Sequence, residues 1–171
     1  LQEFDVSFFI EMEESLRLFF RIKRDTEERG YSKEVILSEV EKRKSDSEKY
    51  IKPQSVRADV VFTLLPINIE LFEQDQVIDS NIKLRVCLRN GIYYQELVRI
   101  LIGVCGLQVN IDSVDERGEV ILEISGDVLS DDIHLAVNML VPHMEELLDF
   151  SAEFSEGIYG IMQIITVMEI D

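Results

Sequence analysis

Hydrophobic and polar positions divide this chain into alternating blocks of two periods. Val6 to Met12 (VSFFIEM) is a β-branched and aromatic run that predicts a strand. From about Glu13 to Arg29 the apolar positions Leu16, Phe19, Phe20 and Ile22 follow helical spacing, and Gly30 suits a left-handed stop. Ser32 is placed to cap a second helix, with Glu34 in its first turn and Ile36, Leu37 and Val40 on its buried face. Glu41 to Tyr50 is almost entirely polar, and Pro53 is expected to end that region. Ala58 to Leu65 (ADVVFTLL) predicts a second strand, closed by Pro66.

Ile67 to Asn81 has no clear period and reads as a linker or an irregular crossing. Beyond it, Ile82 to Leu88 alternates as a strand. Tyr93 to Cys105 is helical through Leu97, Ile100, Leu101 and Val104, with Gly106 as its stop. Leu107 to Val114 and Glu119 to Ser125 predict a strand pair, with Gly118 in a hairpin loop of three to four residues. Ser130 opens a helix running to about Phe150, with Ile133, Val137, Leu140, Met144 and Leu147 as its stripe and Pro142 as a kink. Gly157 to Met168 is apolar and uncharged. Periodicity leaves it open between a buried helix and a strand.

Composition narrows the partners. The 171 residues carry 34 acidic and 17 basic side chains, a net charge of −17. That balance argues against a nucleic-acid binder, which needs a basic surface to displace counterions, and against docking on anionic lipid. No apolar run approaches the ~20 residues that span a bilayer, so the expectation is a soluble, cytoplasmic chain. It begins at Leu1 rather than Met, which raises the expectation of a piece of a longer protein. The charge is uneven: 12 basic and 13 acidic residues up to Arg57, but 1 and 15 from Ile100 onward. This asymmetry suggests regions with different duties.

Cys87 and Cys105 lie in apolar contexts and read as reduced, buried thiols. His134 and His143 are nine apart on one predicted helix, on poorly aligned faces, and no metal-ligand spacing or Cys–His pair stands out. Asp112, Asp115, Glu116, Asp131 and Asp132 read as solvated loop and helix-start charges rather than a metal cluster.

The chemistry-bearing pattern lies between Arg17 and Gln54. Arg17, Arg21 and Arg24 fall at i, i+4 and i+7 and project from one helical face, with Lys23 adjacent and Arg29 beside Gly30. Arginine suits phosphate because its planar fork donates parallel charge-assisted hydrogen bonds. A row of them before a glycine stop fits a lid that closes over transferring phosphates. Spacing alone fits ordinary surface ion pairs as well, since Asp25 is four residues from both Arg21 and Arg29, and Glu13 four before Arg17.

Several fixed elements, in order, resolve that ambiguity. They are the strand Val6 to Met12, "RIKRD" at Arg21 to Asp25, "ERG" at Glu28 to Gly30, Arg43, "KYIKPQ" at Lys49 to Gln54, and Ala58-Asp59 opening the next strand. The segment Phe4 to Pro66 thereby resembles the C-terminal half of the phosphoribulokinase/uridine kinase family core, and Gln54 leans toward the phosphoribulokinase branch. The resemblance implies that Arg21, Arg24 and Arg29 line a lid that contacts ATP phosphates or a sugar-phosphate substrate. Arg43, and with it Lys44, would reach phosphate from the second lid helix. Asp25 would orient Arg21 or Arg29 rather than react. Gly30 and Gln54 would support the lid, with Tyr50, Pro53 and Gln54 returning the chain to the sheet.

The family's catalytic machinery includes a P-loop, yet no GxxxxGK[ST] pattern exists in this sequence. No catalytic residue and no metal ligand is therefore expected in this chain, which alone should transfer nothing. ATP and Mg²⁺ are expected to belong to the parent protein, and ATP and the small phosphorylated or hydroxyl substrate would be met through an upstream half. The expected fold is α/β: the C-terminal part of a P-loop kinase core in residues 1–66, a linker at 67–81, and an acidic α+β domain with a mainly antiparallel sheet at 82–171. A homodimer is expected, with no nucleic acid or membrane as partner. The functional expectation is the lid-bearing portion of an ATP-dependent kinase acting on a sugar phosphate or nucleoside. The alternative is a non-catalytic regulatory or oligomerisation module derived from such a kinase.

Overall fold

The computed structural model describes residues 5–68, 70, 81–89, 94–114, 118–144 and 153–170. Five strands form one sheet in the order β1-β2-β3-β5-β4: β1 Phe8–Met12, β2 Val60–Pro66, β3 Ile82–Leu88, β4 Gln108–Val114 and β5 Val120–Ser125. β1 runs parallel to β2, and every other pairing is antiparallel. The antiparallel pairings join β2 to β3, β3 to β5 and β5 to β4. All five strands lie where the sequence pattern puts them, within two residues.

Register explains the core. Val60, Leu88 and Val120 align across three strands, as do Phe62, Val86 and Leu122, and Leu64, Leu84 and Ile124. These nine side chains are buried on one face. They join one apolar cluster with Leu97, Ile100 and Leu101 of α4 (Tyr94–Gly103), Ile133, Ala136 and Val137 of α5 (Ser130–Leu140), and Ile161, Ile164 and Ile165 of α6 (Gly157–Ile170). The intervening positions carry polar pairs: Lys83 and Arg85 both bond Glu123, at 2.7 and 2.6 Å, and Thr63 donates to Glu11. Because β2 pairs with β3, β2 shares this sheet and core with the strands that follow it.

The connection from β1 to β2 is an arm of helices: α1 (Glu14–Glu27), α2 (Lys33–Asp46), a π-helical turn (Ser47–Ile51) and α3 (Lys52–Ser55). Glu13 caps α1 by accepting from the Ser15 and Leu16 amides, and those bonds, with the Ser15 hydroxyl, hold its carboxyl below the usual range. Gly30, at φ +68°, closes α1 by donating to Thr26, a left-handed termination that glycine adopts without strain.

Five expectations need correction. Leu37, expected on the buried face of α2 with Ile36 and Val40, is 40% exposed, and Ile36 is the buried residue of that helix. Pro53 does not end the polar stretch. Helical structure runs from Lys33 to Ser55 because Pro53 sits in the first turn of α3, where its missing amide costs no bond. Ser32 occupies the cap position of α2, but its side chain makes no capping bond to the backbone. Pro142 does not kink a longer helix. α5 stops at Leu140, so His134 and His143 do not share that helix, and residues 145–150 of the predicted span lie outside the described residues. Cys105 is buried, which pushes its thiol up to about 11, but Cys87 is only half-buried. Gly157–Ile170 resolves as a helix. Most of the 67–81 linker and the hairpin residues 115–117, with Asp115 and Glu116, fall outside the described residues.

Candidate functional site: an arginine cluster and a cationic cleft on the helical arm

The arm holds most of the chain's cations, and helical spacing determines where they converge. Asp25 lies one turn from both Arg21 and Arg29 and next to Arg24. It is only 4% exposed. Arg24 approaches it at 2.9 Å, Arg29 at 3.2 Å and Arg21 at 3.6 Å. The hydrogen bond from Arg24, aided by the charges of Arg24, Arg29 and Arg21, holds the Asp25 carboxyl below its ordinary value. Asp25 thus organises three guanidinium groups. Arg24 and Arg29 keep about half of their side-chain surface in solvent, 51% and 54%. They can still meet an anion from the outer side.

The second grouping lies between α1 and α2. A cleft of about 330 Å³ is walled by Arg17 and Arg21 from α1 and by Arg43 and Lys44 from α2, with Glu14 and Asp46 at its rim. A neighbouring cleft of about 560 Å³ shares Glu14 and Arg17 and opens onto the ends of β1 and β2. Arg21 belongs to both groupings, and its Nε is buried without a hydrogen-bond acceptor. Of the sequence-predicted residues, Arg21, Arg24, Arg29 and Asp25 come together directly, while Arg43 and Lys44 join through the cleft. Gln54 stands apart, exposed on α3, where it donates to the Tyr50 carbonyl at 2.8 Å. Gly30 contributes only the turn that follows Arg29.

Sequence reasoning missed how the arm is attached. Arg89, just past β3, donates to the Ala58 carbonyl at 2.6 Å, the Ser55 carbonyl at 3.0 Å and Glu119 at 2.7 Å. Asp59 accepts from the Ser7 amide at 2.8 Å and its hydroxyl at 2.5 Å. These bonds fix the C-terminal root of the arm to the sheet. No local pattern marks Arg89, because its partners are 30 to 34 residues away.

No group of three or more His, Cys, Asp or Glu among the described residues is arranged to hold a metal ion. No helix among them is long and apolar enough to cross a membrane. Asp131 and Asp132 occupy the first turn of α5, and Asp112 approaches only Arg85, at 3.9 Å.

A mixed sheet with a helical arm between its two parallel strands, and arginines gathered on that arm, places the chain among α/β folds of the P-loop kinase type. Its overall shape is similar to that of phosphoribulokinase from Rhodobacter spheroides, with a TM-score of 0.53 at 18% identity, covering 84% of this chain and 48% of that one. Residues 1–69 match the model of the Phosphoribulokinase / Uridine kinase family. The chloroplastic phosphoribulokinase of Spinacia oleracea is 33% identical over 90 residues, 53% of this chain and 22% of the relative. The phosphoribulokinase of Synechocystis sp. is 29% identical over 92 residues, covering 54% and 26%. The matched part is thus about a quarter of the curated relatives' length.

Proposed function

We propose that this chain is the lid-bearing portion of an ATP-dependent kinase that phosphorylates a sugar phosphate or a nucleoside. Arg21, Arg24, Arg29 and Arg43 would bind phosphate. The observation that carries this reading is the convergence of three arginines on the buried Asp25. A single carboxylate accounts for one of three positive charges, so the cluster keeps a net cationic surface on an arm exposed to solvent. Phosphoryl transfer asks mainly for positioning and charge neutralisation, which such a surface supplies. Asp25 holds the guanidinium groups in place and does not react.

Similarity to phosphoribulokinases supports a kinase origin and ATP use in the parent protein. The cationic arm fits a phosphate group. Among the described residues, no group of acidic side chains is arranged for Mg²⁺. The test uses the longer parent protein. Arg24→Ala should lower its kinase kcat by about 10²-fold, the scale for losing one donor to a developing charge. An unchanged rate would remove the lid assignment. The isolated 171 residues should transfer no phosphate, and a measurable rate from them would overturn that part.

A second reading, an assembly module, rests on a different observation. Leu135 and Met139 lie one turn apart on α5 and are 52% and 51% exposed. In this reading the C-terminal half forms a homodimer through that face. Sedimentation of the chain as a monomer at high concentration would remove it.

A further inference from the structure

The cations of the arm do not form one set, and the difference points to where a phosphate sits. Arg24 and Arg29 already contact Asp25, at 2.9 and 3.2 Å. Arg43 and Lys44 form no salt bridge among the described residues. Arg17 reaches Glu14 only at 3.9 Å, with both side chains half exposed, a distance at which an ion pair contributes little. Arg21 Nε is buried and lacks an acceptor, because Asp25 stands 3.6 Å away. Arg21 keeps 28% of its side-chain surface exposed and lines the cleft, which is large enough to hold an anion.

From this geometry we propose that the α1–α2 cleft is a binding site for a phosphate monoester dianion, with Arg17 and Lys44 as ligands beside Arg21 and Arg43. The site deepens the lid reading above and rests on it. Charge selects the ligand class. Four cations face two carboxylates, Glu14 and Asp46, which leaves an excess of two positive charges. A phosphate monoester carries about −1.5 to −2 at neutral pH and matches that excess. Phosphate between Arg17 and Arg21 on one wall and Arg43 and Lys44 on the other bridges the two helices. The bound anion therefore draws α1 and α2 together. Arg24 and Arg29, held on Asp25, stay outside the cleft.

Inorganic phosphate, titrated into the chain and followed by amide NMR shifts, tests the site, with inorganic pyrophosphate as a second probe. Signals of residues 14–21 and 43–47 should move together. Arg17→Ala and Lys44→Ala should each weaken phosphate binding about tenfold, the effect of losing one charge-assisted bond. Arg99→Ala, which removes an exposed cation on α4 away from the arm, should change it less than twofold. Circular dichroism of each variant confirms that its helices remain. Pyrophosphate bound much more tightly than phosphate, with the same residue dependence, would overturn the monoester assignment in favour of a polyphosphate chain. If Arg24→Ala and Arg29→Ala weaken binding and Lys44→Ala does not, the cleft proposal falls while the lid reading stands. If no residue of the arm responds to either probe, the cleft proposal falls. The lid reading is then judged separately, by the effect of Arg24→Ala on kinase turnover in the parent protein.

Discussion

The helical arm and the sheet with α4 to α6 are built on opposite economies of charge and apolar surface. Up to Arg57 the only buried apolar side chains among the described residues are Leu16 and Ile36. From Ala58 onward the buried set covers β2, β3 and β5 and three helices. Yet the arm holds 12 of the 17 basic residues, and the stretch from Ile100 onward holds 15 of the 34 acidic ones. The sheet region therefore supplies stability through apolar burial. The arm contributes little core and presents cations. A segment with few buried contacts opens at low cost, which suits an element that must move over a ligand.

The sharpest way to break this contrast is to cut into each region equally. Leu122→Ala, at the centre of β5 and fully buried, should cost ~2–5 kcal/mol in urea unfolding. Leu37→Ala, 40% exposed on α2, should cost less than ~1 kcal/mol. Comparable costs would mean the arm is as integral to the core as the sheet. Next in size, Gly160→Ala should destabilise by ~1–3 kcal/mol, since a methyl there meets the Ser155 carbonyl and the Ile133 side chain where α6 packs on α5. Calorimetry of the variant measures it.

Arg89→Ala probes the join between the regions. It strips the Ser55 and Ala58 carbonyls and Glu119 of a donor, and should cost about 2 kcal/mol in thermal unfolding. Hydrogen exchange should also rise in α3, a local effect that the core substitutions above do not produce.

Asp25→Asn gives the comparison a pH signature. The folded-state pKa of Asp25 lies below its ordinary 3.8, so its ionised form is favoured in the native state. Its stabilisation is fully present above pH 3.8 and is lost as pH falls through the lower folded value. The wild type should therefore unfold at a higher temperature than the variant at pH 7, and the two should converge at the acid end. A gap independent of pH would show that Asp25 acts by shape rather than charge. The smallest expected effect is Lys42→Ala, which removes the exposed Lys42–Glu39 pair on α2 and should shift stability by under ~0.5 kcal/mol.

The strand positions, the α1 termination at Gly30 and the arginine stripe were legible in the sequence, because each depends on residues within one or two turns of one another. The convergence on Asp25 was half legible: i,i+4 spacing places Arg21 and Arg29 beside it, but only packing buries it. Pro142 and Pro53 were misread for a related reason. A proline's effect depends on which turn of a helix it occupies, and local pattern does not determine that.

Sequence by itself determined the strands, the first helices, the cationic arm and its likeness to one kinase family, since periodicity and motif spacing are properties of neighbouring residues; Gly157–Met168 it left open. Tertiary structure alone decided that β2 shares one sheet with β3, β5 and β4, that Arg89 clamps the end of the arm from 31 and 34 residues away, and that Arg17 and Arg21 face Arg43 and Lys44 across a cleft. Those relations join residues far apart in the chain. Their energies come from register and packing, which exist only once the elements have met.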